Sequence, residues 1–308
     1  MGQELQTRPK VFRLVTILSL SLVAGKALAQ QSPSTDIREA EVATSSGIRI
    51  HYLESGRGDS SRALVLIPGW RLPAFLWKEQ LTRFSSTIRV IALDPRSQGA
   101  STKTSEGDTP EGRARDLHDV LASLRVSRAV LVGWSQGAQD VAAYLQQFGT
   151  VSVAAVVLVD SPVSAGPEEI ELHKTFSKVI LSGISTYASH PEEYSEGMVR
   201  SLFKKPHPEL DVARIVKSTL QTPVDTGIAM LVTDIFGTDR RAALAKLDKP
   251  ALVIGSSESP LIDVQKEMAA MIPGAKFVVV PEAGHAIFID APQRFDEELG
   301  SFLRSLPQ

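Results

Sequence analysis

The sequence contains no cysteine among its 308 residues. Without thiols, the chain has no disulfide framework, no thiolate nucleophile and no cysteine-ligated metal, and it cannot carry a lipid on an amino-terminal cysteine. A chain of this length buries enough apolar surface to fold without disulfide bonds. Export to an oxidising compartment is therefore compatible with the composition.

A large excess of charge of either sign is also missing. The 33 basic and 35 acidic residues leave a formal net charge of −2. Nucleic-acid-binding proteins usually carry a clear basic excess, so no nucleic-acid partner is expected. With 43% hydrophobic and 22% charged residues, the composition is that of an ordinary globular protein with material for one large domain.

The amino-terminal apolar run is too short to span a bilayer. The uncharged stretch over residues 14–25 falls below the roughly 20 residues that a membrane-spanning helix needs. Basic residues precede it, and Ala27 and Ala29 follow at the two positions that a signal peptidase reads. Residues 1–29 are therefore predicted to be a cleaved signal peptide. Gln30 would then be the first residue of an exported, periplasmic or secreted protein without a membrane span.

The strongest motif is Gly-Trp-Ser-Gln-Gly, centred on Ser135. An aliphatic run of the strand type ends in this motif, and residues 138–145 continue with apolar positions at helical spacing. This order predicts the strand, sharp turn and helix of a nucleophile elbow, which exposes the serine hydroxyl at the amino end of a helix. Gly133 and Gly137 allow the neighbouring chain to pass close to the turn. The short motif also arises by chance, so the flanking pattern carries the prediction.

Strand and helix patterns alternate on both sides of this motif, which is typical of a parallel sheet with helices on both faces. After the strand pattern over 153–159 the alternation stops, and only helical patterns follow until the strand pattern over 251–255. The helical patterns of this insertion cover residues 168–181, 191–203, 210–220 and 223–236. The predicted segments are the signal peptide over 1–29, the first part of the core over 30–164, a helical cap over 165–238 and the second part of the core over 239–308.

Four motifs together resemble the α/β-hydrolase family. They are Pro68-Gly69-Trp70 after a strand, Asp94-x-Arg96-x-x-Gly99-x-Ser101, the serine motif, and Gly284-His285 near the end. The chain is most similar to the capped branch of small serine esterases, lactonases and cofactor-free haloperoxidase-like enzymes. The resemblance, over about residues 47–303, implies an eight-stranded, mostly parallel α/β-hydrolase sheet flanked by helices, with an inserted helical cap. Its catalytic groups would lie at the carboxyl ends of strands.

Two departures from the family pattern bear on the activity. Pro68 stands where members commonly have histidine before Gly69, which removes one side chain from the oxyanion loop. Members that make peracids often have proline directly after the aromatic residue, whereas Arg71 follows Trp70 here. The second departure argues against a perhydrolase.

Acyl transfer by serine requires a base, an acid that orients the base, and donors for the oxyanion. His285 is the candidate base, because its loop between the last strand and the last helix can return to Ser135. Two acids fit the chain order. Glu258, after the seventh strand, matches the usual position in the family and is preferred, and Asp160, at the end of the sixth strand, is the alternative.

The resemblance implies that the oxyanion hole is formed by the backbone N–H groups of Trp70 and Gln136. Alternatively, the role of Trp70 could be limited to packing of its indole against the cap. Asp94 and Arg96 are predicted to form a structural ion pair near the elbow. No cofactor and no metal site are expected, because no two histidines have ligand spacing with a carboxylate.

The leading hypothesis is a serine hydrolase that cleaves small-molecule carboxylic esters, lactones among them, through an acyl-enzyme. One alternative is a cofactor-free haloperoxidase or perhydrolase of the same fold. Another, from a different class of protein, is a ligand-binding homologue without turnover. The presence of Ser135, His285 and an acid favours an enzyme over that last alternative.

Overall fold

A computed structural model describes residues 1–2, 36–56, 61–163, 174–237 and 239–307. The chain divides into two compact units, Met1–Ser32 and Pro33–Gln308. The predicted cleavage site lies outside the described residues, and so does the start of the predicted cap, residues 165–173. Among the described residues, no helix has both the length and the apolar content required to cross a membrane.

Eight strands form one sheet in the order β1-β2-β4-β3-β5-β6-β7-β8. The strands are β1 (Arg38–Ala43), β2 (Arg49–Ser55), β3 (Arg62–Ile67), β4 (Arg89–Leu93), β5 (Arg128–Trp134), β6 (Val153–Val159), β7 (Ala251–Ser256) and β8 (Lys276–Val280). β2 pairs antiparallel with both β1 and β4, and every other pairing is parallel. The predicted fold class, an eight-stranded and mostly parallel sheet with flanking helices, is confirmed.

The central strands are continuous apolar runs because the sheet is covered on both faces. Along β3, residues 63, 65 and 67 belong to one buried cluster and residues 64 and 66 to the other. Successive side chains of a strand point to opposite faces, so the two clusters lie on opposite sides of the sheet. All of these β3 side chains are at most 2% exposed.

Helices of the core cover both faces. They are α1 (Lys78–Phe84), α2 (Pro110–Ser123), α3 (Gln136–Phe148), α8 (Arg241–Ala245), α9 (Ile262–Met271), α10 (Ile287–Asp290) and α11 (Pro292–Ser305). Helix α2 begins with a well-formed cap: the Thr109 hydroxyl accepts a hydrogen bond from the Gly112 N–H at 3.1 Å, and proline occupies the first helical position. Both features favour a helix start at this point.

Among the described residues between β6 and α8, all regular secondary structure is helical. The helices are α4 (Lys174–Ser189), α5 (Pro191–Ser201), α6 (Val212–Thr219) and α7 (Val224–Phe236), and we call this group the cap. The last three begin and end within two residues of the predicted helical patterns. Helix α4 extends to Ser189, eight residues beyond the predicted end, because apolar positions continue at helical spacing as far as Tyr187.

The parallel strands all have their carboxyl ends at one edge of the sheet, and the candidate residues follow directly. Trp70 comes after β3, Ser135 after β5 and Asp160 after β6. Glu258 follows β7 and His285 follows β8. The topology thus brings residues that are far apart in sequence to one edge, which is where open α/β sheets bind their ligands.

Candidate active site

Ser135 lies in the predicted turn between β5 and α3, with φ 56° and ψ −123°. Positive φ is uncommon for a residue with a side chain and stores backbone strain. The flanking glycines are required: a Cβ on Gly133 would lie 2.2 Å from the Gly137 carbonyl oxygen, and one on Gly137 would lie 2.5 Å from that of Ile67. The Ser135 N–H donates to the Val159 carbonyl at 3.0 Å, which fixes the turn on the neighbouring strand.

The loop after β3 lies against the serine. A Cβ built on Gly69 would be 2.9 Å from Ser135 Cβ and 3.3 Å from Ser135 Oγ. A tight turn, closed by the Leu72 N–H donating to the Gly69 carbonyl at 3.1 Å, contains Trp70. Gln136 is the first residue of α3, where backbone N–H groups have no acceptor within the helix. Both predicted oxyanion donors therefore belong to residues beside Ser135.

The Trp70 side chain packs under the cap. Its indole Nε1–H donates to the Gly227 carbonyl of α7 at 2.9 Å. Its ring makes edge contacts with Tyr187 and Tyr194, at centroid distances of 5.5 and 6.3 Å. The indole thus takes the packing role that the sequence left open, and its contacts anchor the backbone of the loop next to Ser135.

His285 is oriented by Asp160. The distance from His285 Nδ1 to Asp160 Oδ2 is 2.8 Å, and the Trp134 indole donates to the His285 carbonyl at 2.9 Å. The imidazole is 32% exposed, whereas the Asp160 carboxylate is 1% exposed. With Nδ1 bonded to a carboxylate, Nε2 is the ring nitrogen left for a serine hydroxyl. Among the described contacts no hydrogen bond joins the ring to Ser135 Oγ, and in enzymes without substrate this contact is often long.

The Asp160 carboxylate is fixed by more than the histidine. Asp160 follows β6 directly and has φ 48°. Its Oδ1 accepts hydrogen bonds from the Ser256 N–H at 2.9 Å and from Gln265 Nε2 at 3.2 Å. These contacts come from β7 and α9, so two neighbouring elements hold the carboxylate in the direction of His285.

Glu258, the preferred acid of the sequence analysis, does not meet His285. Its Oε1 lies 2.7 Å from Lys204 Nζ, and its side chain is 50% exposed. The hydrogen bond and the charge of Lys204 lower the pKa of Glu258. Its backbone N–H is held by the Ser256 hydroxyl at 3.0 Å, and its side chain extends to the segment that follows α5. The structure therefore corrects the predicted contact: the alternative, Asp160, is the carboxylate at the histidine.

The loop of His285 is held by Asp290, which the sequence analysis missed. Asp290 Oδ2 accepts from the N–H groups of Gly284 and Lys204, at 2.6 and 2.8 Å. Its Oδ1 lies 2.6 Å from His207 Nε2, and the carboxylate has no exposed surface. The only sequence signal was an aspartate in an otherwise apolar helical turn. Asp290 joins the histidine loop to the segment that follows α5.

A buried polar chain leads from Gln136 into the cap and was also missed. The Gln136 side-chain amide donates a short hydrogen bond to Asp234 of α7. Asp234 Oδ1 accepts from Arg113 Nη2 at 2.7 Å, and Arg113 Nε donates to Asp140 Oδ1 at 2.8 Å. Burial raises the pKa of Asp140 and that of Asp234, and the shared Arg113 opposes both shifts. One guanidinium thus serves two buried carboxylates beside the elbow.

The predicted ion pair between Asp94 and Arg96 is wrong, although both residues are structural. Asp94 lies 2.8 Å from His51 Nδ1 and accepts from the Ala74 N–H at 2.6 Å. Arg96 Nη2 donates to Asp116 Oδ1 at 2.6 Å. Asp94 and Arg96 therefore contact different elements of the fold and do not pair with each other.

Comparisons with known proteins agree with this fold. A model of the alpha/beta hydrolase family matches residues 64–298. A non-heme chloroperoxidase from Kitasatospora aureofaciens is 26% identical over 282 residues, which cover 84% of this chain and 98% of the relative. The crystal structure of an esterase from Rhodococcus sp. ECU1013 superposes with a TM-score of 0.74 at 27% identity, covering 88% of this chain and 99% of the esterase.

An esterase from Exiguobacterium antarcticum superposes with a TM-score of 0.78. It is 20% identical and covers 87% of this chain and 100% of its own, and at that identity the likeness concerns the fold alone. The family model spans well over half of the chain and includes the motifs around Trp70, Ser135 and His285. The chain belongs to the α/β-hydrolase family.

Proposed function

We propose that the protein is a serine hydrolase that cleaves carboxylic esters, cyclic esters included, through an acyl-enzyme. Ser135 is the nucleophile, His285 the general base and Asp160 the acid that orients it. The observation that carries this proposal is the 2.8 Å contact between His285 Nδ1 and Asp160 Oδ2 at the sheet edge that also bears the Ser135 elbow. The esterase among the solved structures supports the same reaction class.

We assign each group a step in the proposed reaction. Ser135 Oγ attacks the ester carbonyl while His285 Nε2 takes its proton, and Asp160 stabilises the resulting imidazolium. The backbone N–H groups of Trp70 and Gln136 donate to the oxyanion. His285 returns the proton to the departing alcohol. Water, activated by the same histidine, then hydrolyses the acyl-enzyme and restores the serine.

The chloroperoxidase relative favours a second candidate, haloperoxidase or perhydrolase chemistry with the same triad. In the peracid reaction, hydrogen peroxide replaces water as the acceptor of the acyl group. Arg71, in the place where peracid-forming members often have proline, argues against it. An assay of peracid formation from a carboxylic acid and hydrogen peroxide, run beside ester hydrolysis, compares the two directly.

The deciding experiment is a screen of p-nitrophenyl esters from acetate to long chains, together with lactones, on the parent and on Ser135→Ala. Losing a triad nucleophile lowers kcat by about 10⁴ to 10⁶. A fluorophosphonate should label Ser135 in the parent. The matched control is Ser257→Ala, in an exposed position after β7. Turnover by folded Ser135→Ala within tenfold of the parent would sink the assignment, as would labelling at another residue.

A further inference from the structure

Arg71 is a fully buried arginine without a carboxylate partner among the described residues. It follows Trp70 in the loop after β3, has no exposed surface, and has φ 59°. Every other buried arginine of the described chain contacts an acid. Those pairs are Arg89 with Glu54, Arg96 with Asp116, Arg113 with Asp140, and Arg240 with Glu111. Arg71 is the exception, and it directly follows Trp70, a proposed oxyanion donor, in the sequence.

Aromatic rings of the cap and the loop surround the Arg71 guanidinium. Its central carbon is 4.1 Å from the ring centroids of both Trp70 and Tyr187, and 5.9 Å from that of Tyr194. Nη1 donates to Ser195 Oγ at 3.0 Å. Cation–π contacts offset part of the cost of burying a charge, but they provide no acceptor for the remaining N–H groups.

The two nitrogens that lack a hydrogen-bond partner are Nε and Nη2 of Arg71. Their N–H bonds lie side by side along one edge of the guanidinium, which is an edge that binds the two oxygens of a carboxylate. Ser195 uses the opposite nitrogen. The two nitrogens without a hydrogen-bond partner thus form one complete bidentate edge of the guanidinium.

A third polar atom at this place is Tyr187 Oη, which is buried and lies close to Arg71 without a well-aligned hydrogen bond. If Tyr187 Oη accepted one Arg71 N–H, the second N–H and the tyrosine proton would still lack an acceptor. Helix α7 approaches closely here, since a Cβ on Gly227 would be 2.4 Å from Tyr187 Oη and 3.1 Å from Arg71 Cδ. The cluster is rich in donors, and no carboxylate of the described residues contacts Arg71, although the charge of Asp225 acts on Tyr187.

The cluster is connected to the reaction centre through the loop after β3. Arg71 is adjacent to Trp70, whose backbone N–H is the proposed oxyanion donor. Two residues earlier, a Cβ at Gly69 would lie 3.3 Å from Ser135 Oγ. From the other side, Tyr187 of α4 and Ser195 of α5 bring the cap to Arg71. The loop after β3 therefore joins the donor edge of Arg71 to the residues that contact Ser135.

We propose that Arg71, together with Tyr187, forms a subsite for a carboxylate of the substrate, so that the preferred esters are half-esters of dicarboxylic acids. The esterified carboxyl would lie at Ser135 and the free, ionised carboxylate at the Nε and Nη2 edge of Arg71. This inference rests on the proposed ester hydrolysis and names its substrate class. A planar, singly charged carboxylate fits the two parallel donors and supplies the acid that Arg71 lacks.

The test compares two substrates of equal chain length, p-nitrophenyl valerate and mono-p-nitrophenyl glutarate, with the succinate and adipate half-esters as length variants. The parent should have a kcat/KM at least about tenfold higher on one of the half-esters than on its neutral counterpart. Arg71→Gln should lower this ratio by at least about tenfold, and Arg71→Lys should restore part of it through its charge. Arg214→Gln is the matched control, because Arg214 is an exposed cap arginine 4.2 Å from the Phe75 ring centroid.

A second measurement uses only the parent, in case the Arg71 variants do not fold. Free dicarboxylates, from succinate to adipate, should inhibit valerate ester hydrolysis competitively, and the corresponding diamides should not. If Ser135 turns over the valerate ester without any preference for half-esters and without dicarboxylate inhibition, the subsite is overturned and the ester hydrolase stands. If neither ester is cleaved and Ser135 takes no fluorophosphonate, the proposed function fails, and this inference fails with it.

Discussion

Asp234, on cap helix α7, accepts a hydrogen bond from the side chain of Gln136, the residue directly after the nucleophile. Gln136 also carries one of the two proposed oxyanion donors on its backbone. Since Asp234 is held in turn by Arg113 at 2.7 Å, a buried chain of polar contacts runs from the core through the cap to the elbow. The cap thereby contacts a residue on which transition-state stabilisation depends.

We expect Gln136→Met to lower kcat about tenfold while changing KM by less than threefold. The variant keeps the backbone N–H and removes the side-chain amide, which donates to Asp234 and accepts from Gln98 Nε2 at 3.2 Å. Complete removal of an oxyanion donor costs about 10² to 10³ in kcat, so a loosened donor should cost less. Steady-state kinetics on a p-nitrophenyl ester measures the effect, with thermal unfolding as the check on folding.

The control for this substitution is Gln139→Met, one turn further along α3. Gln139 is 9% exposed and its Oε1 has no partner among the described residues, so it offers the same change of side chain without the contact to Asp234. An equal loss of kcat in both variants would show that the helix itself, and not the contact with Asp234, sets the rate.

The contact between His285 and Asp160 gives a prediction for the acid. Asp160→Asn keeps the shape of the side chain but lets the imidazole adopt the wrong tautomer, for which a loss of about 10⁴ in kcat is the precedent. We expect a loss of at least about 10²-fold near neutral pH, measured on the best ester of the screen. Glu258→Gln should stay within about threefold, because Glu258 is half exposed and paired with Lys204. The reverse order would return the role to Glu258.

Much of the fold was predictable because it depends on local pattern. The runs of buried aliphatic residues in β3 and β5 are strands in the structure, and the Ser135 motif sits in the expected turn. Cap helix α5 was predicted over 191–203 and spans Pro191–Ser201. Helical spacing of apolar residues and proline at the first position are signals carried by neighbouring residues, and no knowledge of long-range contacts is needed to interpret them.

The site was less predictable because its contacts join distant segments. Asp160 and Glu258 both follow strands that end at the same edge, and both satisfy the order of serine, acid and histidine. The partners of the two acids separate them. Lys204 contacts Glu258 from the segment that follows α5, whereas Ser256 and Gln265 hold Asp160 in the direction of the histidine. No spacing in the sequence encodes these partners, and the same holds for Arg71 beneath the cap.

Export is testable independently of catalysis. Mass spectrometry of the protein recovered from a secreting host should find an amino terminus at Gln30, intact or cyclised to pyroglutamate. Ala29→Arg is the control, because a large charged residue at the position read by the peptidase should leave the precursor uncleaved. Recovery of the parent with Met1 in the exported fraction would contradict the predicted signal peptide.

Asp108 predicts how stability changes with pH. Burial raises the pKa of Asp108 from 3.8 to about 6, although the Ser97 hydroxyl at 3.1 Å and Arg113 act in the opposite direction. A carboxyl with a raised pKa in the folded state favours folding at low pH, and this contribution is lost as the pH rises through about 6. Asp108→Asn removes the titration and keeps the shape. We expect the free energy of unfolding of the parent, relative to Asp108→Asn, to fall by about 1.4 kcal/mol between pH 5 and pH 8.

Urea unfolding at the two pH values measures this difference, provided that the dependence of the unfolding free energy on urea is equal in both proteins. The full change in the free energy of unfolding is about 3 kcal/mol. Part of it falls below pH 5, because the carboxyl of the unfolded chain already ionises near pH 4. Asp263→Asn, in the exposed first turn of α9, provides the matched substitution outside the core. The free energy of unfolding of the parent, relative to Asp108→Asn, could instead be the same at pH 5 and pH 8. That result would mean that the folded protein accommodates the ionised carboxylate as well as water does. In that case Arg113 and the Ser97 hydroxyl, and not burial, would determine the charge state of Asp108.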